Sequence, residues 1–395
     1  MRFHNIVNES THQMDVNKFQ HLLTPAVLAL DKAVSDAGYE IRIVGGAVRD
    51  LVLGLDPKDI DMASDALPDT MMKILDGVGI RHEPTGLDHG TITAIIDGEP
   101  IEITTLRIDS ETDGRHATVS FTNDWKQDAE RRDLTFNAMS MDLKGTLFDY
   151  FDGIEDLKNG IAKFVGDADK RIQEDFLRIL RFFRFQGRLN SPTWDKETME
   201  AVRRNADGLS GISGERVWME MSKILSRPDT RVNVIKLMSK AGVLKAINMP
   251  AQQLDMMRDV NVTDPVVALS TTLKTVDGLD VLKRLWKLSN TEYNKAKFIL
   301  QNRHLNVDEA MAQRMLTDPQ VRTEHVFALL AANGDDNLVS KLKHWTPPVF
   351  PVTGSDLIAA GVKPGPEMGK LLGQFRNKWE ASGFKLTKTD LLKEL

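Results

Sequence analysis

Two hydrophobic periods divide the chain. Up to about residue 105, apolar positions come in short β-prone runs: Ile41-Arg42-Ile43-Val44, Thr91 to Ile96 and Ile101 to Thr105. The last two are joined by Asp97-Gly98, a pair that favours a tight hairpin turn. Helical spacing is interleaved with them. Val27, Leu28, Leu30, Ala33 and Val34 predict a helix over Pro25 to Ala37 with Gly38 as its stop. Ala47 to Leu53 reads as a turn or two of helix, and Pro68 sits near the first position of another that runs through Leu75. Residues 41–105 therefore predict a small mixed α/β sheet. The polar stretch Asp109 to Asp124, with Asp113-Gly114-Arg115-His116 inside it, reads as a mobile loop. Gln127 to Met139 follows as a helix and Leu147 to Phe151 as the end of a strand.

Beyond about Asp156 the period changes to 3.6. Helical segments are predicted near 168–188, 194–206, 213–226 and 229–241, and onward to the end. Pro347-Pro348 and Pro351 interrupt them and set off a last module, Thr353 to Leu395. The fold class is α+β: a mixed-sheet head followed by an all-helical remainder. No internal repeat of fixed period is present.

Composition narrows the chemistry. The 395 residues suffice for two to four domains, and 41% are hydrophobic, enough for sizeable cores. The absence of cysteine excludes disulfides, thiolate zinc sites and a cysteine nucleophile. No apolar run approaches the ~20 residues of a membrane span. Met1 to Lys18 lacks both the apolar core of a signal peptide and the arginine-rich face of a transit peptide, which predicts a cytoplasmic protein, with a mitochondrial one as the alternative. A net charge of −6 means that any nucleic-acid surface is local.

Chemistry concentrates in Val44 to Asp61. A β-run, Gly45-Gly46, a helix start bearing Arg49 and then Asp59-Ile60-Asp61 follow within 18 residues. On a strand, the two carboxylates at i and i+2 would share a face. Glycines let backbone N–H groups approach a phosphate. Paired carboxylates suit Mg²⁺, and an arginine fork suits a phosphate or ribose oxygen. Neither a P-loop nor a G-x-G-x-x-G fingerprint is present. Glu102, in the second hairpin strand, could add a third carboxylate for a two-metal transfer site. An edge-strand glutamate facing water is the competing reading, and spacing alone favours it. Arg131-Arg132-Asp133 falls on the helix after the loop, with Asn137 on the face of Asp133. There too an ordinary solvated charge cluster is what the pattern alone favours. Between Lys170 and Arg188 lie six basic residues and two acidic ones. Arg178, Arg181 and Arg184 form a stripe at i, i+3, i+6, with Leu177, Leu180 and Phe183 as the core face. Asp175 and Arg178, one turn apart, can pair and offer acceptors and a donor fork for the edge of a base, with a solvated face of local ion pairs as the competing reading.

With these residues in order, the chain resembles the class II tRNA nucleotidyltransferases, the CCA-adding enzymes, of the polymerase β-like nucleotidyltransferase superfamily, and especially the branch that includes mitochondrial enzymes. The matching stretches are GGAVRDLVLG with DID, EITTLR, DGRH, ERRDLTFNAM, LFDYFDGIEDL, EDFLRILRFFRF, GERVWMEMSKIL and PGPEMGKLL. The resemblance implies template-independent addition of CCA to tRNA from CTP and ATP, with two Mg²⁺ ions. Asp59 and Asp61 would be metal carboxylates and catalytic residues, with Glu102 as the third. Gly45, Gly46, Arg49, Arg131, Arg132, Asp133 and Asn137 would bind the nucleotide. Asp175 and Arg178 would select the base, supported by Arg181 and Arg184. Phe148 to Leu157 would be a hinge, the loop at 109–124 would help switch to A addition, and Glu215 to Glu220 would brace the neck. The implied parts are a head (1–156), a nucleotide-selecting neck (157–226), a body (227–346) and a tRNA-binding tail (347–395). Body and tail would grip the acceptor arm, with Gly361 to Leu371 as a phosphate contact. The expected partners are tRNA, CTP and ATP, without a membrane, and the chain would act as a monomer or homodimer.

Competing activities are weighed by what they leave unexplained. A bacterial poly(A) polymerase of the same family usually carries a basic C-terminal extension, missing here, and a CC-only enzyme typically lacks the loop. No H…HD…D series marks a phosphohydrolase. A binding module has no need of paired carboxylates. A small-molecule nucleotidyltransferase would not explain some 200 helical residues with an arginine stripe.

Overall fold

The computed structural model describes residues 10–112, 117–189, 191–250, 257 and 260–395. They fall into two compact units, one of residues 1–224 with 233–249, the other of 225–232 with 250–395.

The first unit holds the strands β1 (Ser10–Gln13), β2 (Ile41–Val44), β3 (Asp61–Ser64), β4 (His82–Gly86), β5 (Thr91–Ile96), β6 (Glu99–Thr105), β7 (Arg107–Thr112), β8 (Ala117–Phe121), β9 (Ser140–Met141) and β10 (Thr146–Asp149). Eight of them make one sheet in the order β1-β10-β9-β2-β3-β6-β5-β4, antiparallel except where β3 runs beside β6. Alternation explains β5, where Ile92, Ala94 and Ile96 are buried between half-buried threonines and an isoleucine. The β5–β6 turn takes Asp97 and Gly98 to φ +55° and +89°, the pair of positive values that a type I′ turn requires. Helices α1 (Pro25–Asp36), capped by Thr24, α2 (Gly46–Val52) and α3 (Pro68–Gly77) follow the predicted spacing.

Onward from the sheet run α4 (Trp125–Glu130), α5 (Gly153–Lys158), α6 (Ala168–Glu174), α7 (Leu177–Gln186), α8 (Lys196–Asn205), α9 (Gly214–Leu225), α10 (Arg231–Lys240) and α11 (Val243–Ala246). The chain is thus a mixed-sheet head followed by helices, an α+β protein.

In the second unit, α12 (Pro265–Thr272), α13 (Val276–Trp286), α14 (Asn290–Asn302), α15 (Glu309–Thr317), α16 (Thr323–Ala332) and α17 (Asp336–Lys343) enclose apolar cores that include Ile299, Ala312, Leu329 and Leu342. After the proline break, α18 (Gly354–Ala359), α19 (Pro366–Ala381) and α20 (Lys388–Leu392) build a small core of their own on Leu357, Phe375, Trp379 and Leu391. Thr353 with Asp356 and Thr387 with Asp390 close capping boxes at two of these helices.

Four local expectations are corrected. The segment 109–124 is mainly a two-stranded ribbon of β7 and β8, not a loop, and Asp113 to His116 lie outside the described residues. The helix expected over 127–139 starts at Trp125 and stops at Glu130. Residues 133–135 instead exchange backbone hydrogen bonds with 163–165, which a continuing helix would forbid. The segment 168–188 is two helices, because Asp175 is extended (φ −156°, ψ 104°) and its carboxylate accepts the Leu177 N–H. Asp59 precedes β3, which begins at Asp61, so the i, i+2 strand argument does not apply to this pair.

Candidate active site

Beside the sheet the first unit forms an open cavity of about 600 Å³. Gly45, Gly46, Arg49, Asp61, Arg131, Arg132, Asp133, Asn137, Asp175, Arg178 and Arg181 line it, as do Arg107, Leu177, Phe185, Arg216, Met219 and Glu220. Residues spread over 176 positions of chain therefore meet at one place.

Gly45 ends β2 at φ +66°, and a Cβ there would meet the Arg132 guanidinium at 2.9 Å. The positive φ favours glycine, and a side chain there would also push the Arg132 guanidinium out of its place. From α2, Arg49 donates to Asn137 Oδ1 at 2.9 Å and to Asp50 Oδ1 at 2.7 and 2.9 Å. Asn137 in turn donates to Asp133 Oδ1 at 3.0 Å, and Arg181 reaches Asp133 Oδ2 at 2.6 Å. A polar chain thus runs from the glycine turn to the arginine helix. Burial opposes the charge on Asp133, but Arg181 and the hydrogen bonds from Asn137, Arg181 and the Leu134 N–H hold its pKa below the usual value. Asp133 and Asn137 are not one helical turn apart, as the sequence suggested. The tight turn Thr135–Asn137 brings Asn137 back to Asp133.

Glu102 lies in β6, between β3 and β5, and is no edge residue. It is the register partner of Asp61 across the parallel pair. Desolvation, then the charge of Glu102, pushes the Asp61 pKa up. Arg132 opposes this and Asp59 adds to it. Such mutual repulsion is what a hard cation would relieve, and Asp61 with its register partner Glu102 supplies oxygen donors of the kind such an ion takes. Among the described residues no three or more His, Cys, Asp or Glu are gathered closely enough to hold a metal by themselves.

Asp175 and Arg178 do not pair with one another through their side chains. Asp175 Oδ2 accepts from Arg216 at 2.6 Å. Arg178 donates to Glu174 at 2.5 Å, to the Arg171 carbonyl at 2.9 Å and to the Arg131 carbonyl at 3.2 Å. The arginine stripe also splits. Arg181 faces Asp133, whereas Arg184 is buried against Glu220 at 2.7 Å, where desolvation lowers its pKa to about 10 against the pull of Glu220. Phe185 joins the set: Arg184, Arg49 and Arg181 stand 4.1, 4.9 and 5.5 Å from its ring centre. Asp133 pairs with Arg181, and both Arg131 and Arg132 instead turn to Asp128.

Sequence reading gave no individual site role to Arg107, Asp128, Phe185, Arg216 or Met219. Asp128 was detectable, since it precedes Arg131 and Arg132 by three and four residues, the contact spacing of a helix. Arg216 carried no local signal, because its partner is 41 residues away.

Comparison with known proteins identifies the family of this chain. A family model described as the poly A polymerase head domain matches residues 41–163, and one described as a probable RNA and SrmB- binding site of polymerase A matches 193–255. Head fold and cavity together define a nucleotidyltransferase. The mitochondrial CCA tRNA nucleotidyltransferase 1 of Mus musculus is 41% identical over 97% of this chain and 92% of its own length. The CCA-adding enzyme of a Staphylococcus aureus strain is 33% identical over 78% of this chain and 73% of its own. A crystal structure of the Bacillus stearothermophilus CCA-adding enzyme in complex with CTP superposes with a TM-score of 0.75 at 26% identity, covering 94% of each chain. The chain belongs to the CCA-adding tRNA nucleotidyltransferase family.

Proposed function

We propose that this chain completes the 3′ end of tRNA, adding C, C and A from CTP and ATP without a nucleic-acid template. The observation that carries the reading is the sharing of one cavity by Asp175, Arg178, Asp61 and the arginines at 49, 131 and 132. Base-edge donors and acceptors thereby stand opposite phosphate-binding cations and a metal-type carboxylate.

In this reading, the Gly45 and Gly46 backbone, Arg49, Arg131 and Arg132 hold the triphosphate. Asp133 and Asn137 fix the arginines around them. Asp175 accepts from the exocyclic amino group of cytosine or adenine, and Arg178 donates to the ring nitrogen or carbonyl beside it. Arg181 and Arg184 support that surface. The tRNA 3′-oxygen bonds to the α-phosphorus as the bond to the β-phosphate oxygen breaks, and pyrophosphate leaves. Mg²⁺ held by Asp59 and Asp61, with Glu102 beside them, would neutralise phosphate charge and lower the pKa of the attacking hydroxyl. Two such ions are the expected number.

The remaining parts follow the head (1–156), neck (157–226), body (227–346) and tail (347–395) division. Phe148 to Leu157 serves as hinge, Glu215 to Glu220 braces the neck, and residues 109–124 assist the change to A. Body and tail take the acceptor arm, with Gly361 to Leu371 against its backbone, and the enzyme works as a monomer or homodimer. Among the described residues no helix is long and apolar enough to cross a membrane. A cytoplasmic location, or a mitochondrial one as the name of the mouse relative has it, completes the reading.

A poly(A) polymerase is the second reading, favoured by the head-domain match over residues 41–163. A partial enzyme that adds only CC or only A is the third. Incorporation on tRNA lacking its 3′ end, with CTP alone, ATP alone and both in Mg²⁺, separates them. CCA addition predicts two C residues, one A and then arrest. A long A tail from ATP alone means a poly(A) polymerase, and arrest after CC with both nucleotides present means a partial enzyme.

A further inference from the structure

Asp128 is only 3% exposed, yet three cavity-lining arginines converge on its carboxylate. Oδ1 accepts from Arg131 Nε at 2.9 Å, from Arg131 Nη2 at 2.8 Å and from the backbone N–H of Arg107 at 3.2 Å. Oδ2 accepts from Arg132 Nη2 at 3.2 Å and Nε at 3.4 Å. Adjacent guanidinium groups repel and have many rotamers. A buried counter-charge behind them sets both in one geometry before any ligand arrives. The third contact comes from the first residue of β7. The same carboxylate therefore joins the root of the β7–β8 ribbon to the arginine pair.

We propose that Asp128 is a positioning residue that presets Arg131 and Arg132 for the nucleotide phosphates and ties their placement to the ribbon root at Arg107. This rests on the reading that Arg131 and Arg132 hold the triphosphate. Asp128 touches no reacting atom. Its effect passes through the arginines and disappears when they are gone.

The test is a double-mutant cycle on the full chain. Asp128→Asn keeps the size and one acceptor but removes the charge. It should lower kcat/KM for CTP about tenfold, with KM for tRNA nearly unchanged. In an Arg131→Ala, Arg132→Ala background the same change should cost less than about twofold. An equal loss in both backgrounds, or no loss in the first, overturns the proposal. Should Asp128→Asn fail to fold, Asp128→Glu takes its place, since it keeps the charge at a shifted distance. Its loss must likewise vanish without the arginines, and a loss that persists overturns the proposal too. If the double arginine variant itself uses CTP as well as the parent, the reading of the arginines fails first, and that outcome is separate from the result for Asp128.

Discussion

Arg216 donates to Asp175 Oδ2 at 2.6 Å, so the carboxylate assigned to base selection is held by a helix 41 residues further along the chain. The other oxygen of Asp175 accepts the Leu177 N–H at 3.1 Å. Both acceptors are thereby aimed, and the side chain cannot rotate without breaking one bond. Arg216→Ala should release it and reduce discrimination between CTP and ATP about tenfold, the worth of one charge-assisted hydrogen bond. Asp175→Ala should blur the choice at least as much. Competition assays with mixed nucleotides give both numbers. Unchanged discrimination in Asp175→Ala would remove the base-reading role, whereas an effect in Asp175→Ala alone would free Arg216 of it.

Asp61 sets function against stability. A carboxyl whose pKa is raised by the fold stabilises the protein in its protonated form. That contribution is complete below the ordinary value of 3.8 and is lost as pH rises through the raised one. At neutral pH the ionised Asp61, beside Glu102 and Asp59, therefore works against folding. Asp61→Asn should raise the melting temperature at pH 7 in metal-free buffer and lose that advantage near pH 3, while incorporation disappears. A lower melting temperature at pH 7 would contradict the electrostatic account. Asp59→Ala should also abolish incorporation and leave tRNA retention on filters largely intact. Surviving incorporation would remove Asp59 from the metal set.

The strands around the glycine turn, the Asp97-Gly98 hairpin and the proline break before residue 353 were legible because local chemistry decides them. Where the reading failed, a distant partner decided. Arg131 to Met139 has helix-compatible residues, but residues 133–135 pair with 163–165, and no local pattern reveals that. Asp175 sits among strong helix formers, and its own side chain caps the restart at Leu177. Arg42 shows the same limit in a strand. It lies in the fully buried run Ile41–Val44, and what makes a guanidinium tolerable there is a pair of contacts with Glu40 at 2.7 and 2.9 Å and the flanking rings of Phe148 and Trp125 at 3.5 and 4.0 Å.

Asp133 offers a pH test of opposite sign. Its pKa is held below the ordinary 3.8, so the stabilisation it brings is present above that value and is lost as pH falls through the lowered one. Asp133→Asn should destabilise the protein at pH 7 by about 2–3 kcal/mol, the range for breaking a buried, partly solvated ion pair. Urea midpoints for parent and variant should stay apart from pH 7 to about pH 5 and draw together below the ordinary value. A gap of constant size down to pH 2 would mean that Asp133 acts through packing alone.

Gly153 packs where no side chain fits. A Cβ on it would lie 2.6 Å from the Thr135 carbonyl oxygen and 2.8 Å from Phe136 Cα, all of it backbone that cannot swing aside. The turn that carries it is pinned by Asp149, whose oxygens accept the N–H groups of Phe151, Gly153 and Ile154 at 3.2, 2.9 and 2.9 Å. Thr135 is held from the other side by Asp156 at 2.7 Å. The tight turn from Thr135 to Asn137 also carries the amide that holds Arg49. Gly153→Ala must therefore separate two backbones and displace Asn137 with one of them. The expected result is a stability loss of about 1–3 kcal/mol together with a higher KM for CTP, because Arg49 loses its fixed partner. A stability loss with KM unchanged would show that the Thr135 turn yields without moving Asn137, so that Arg49 keeps its partner.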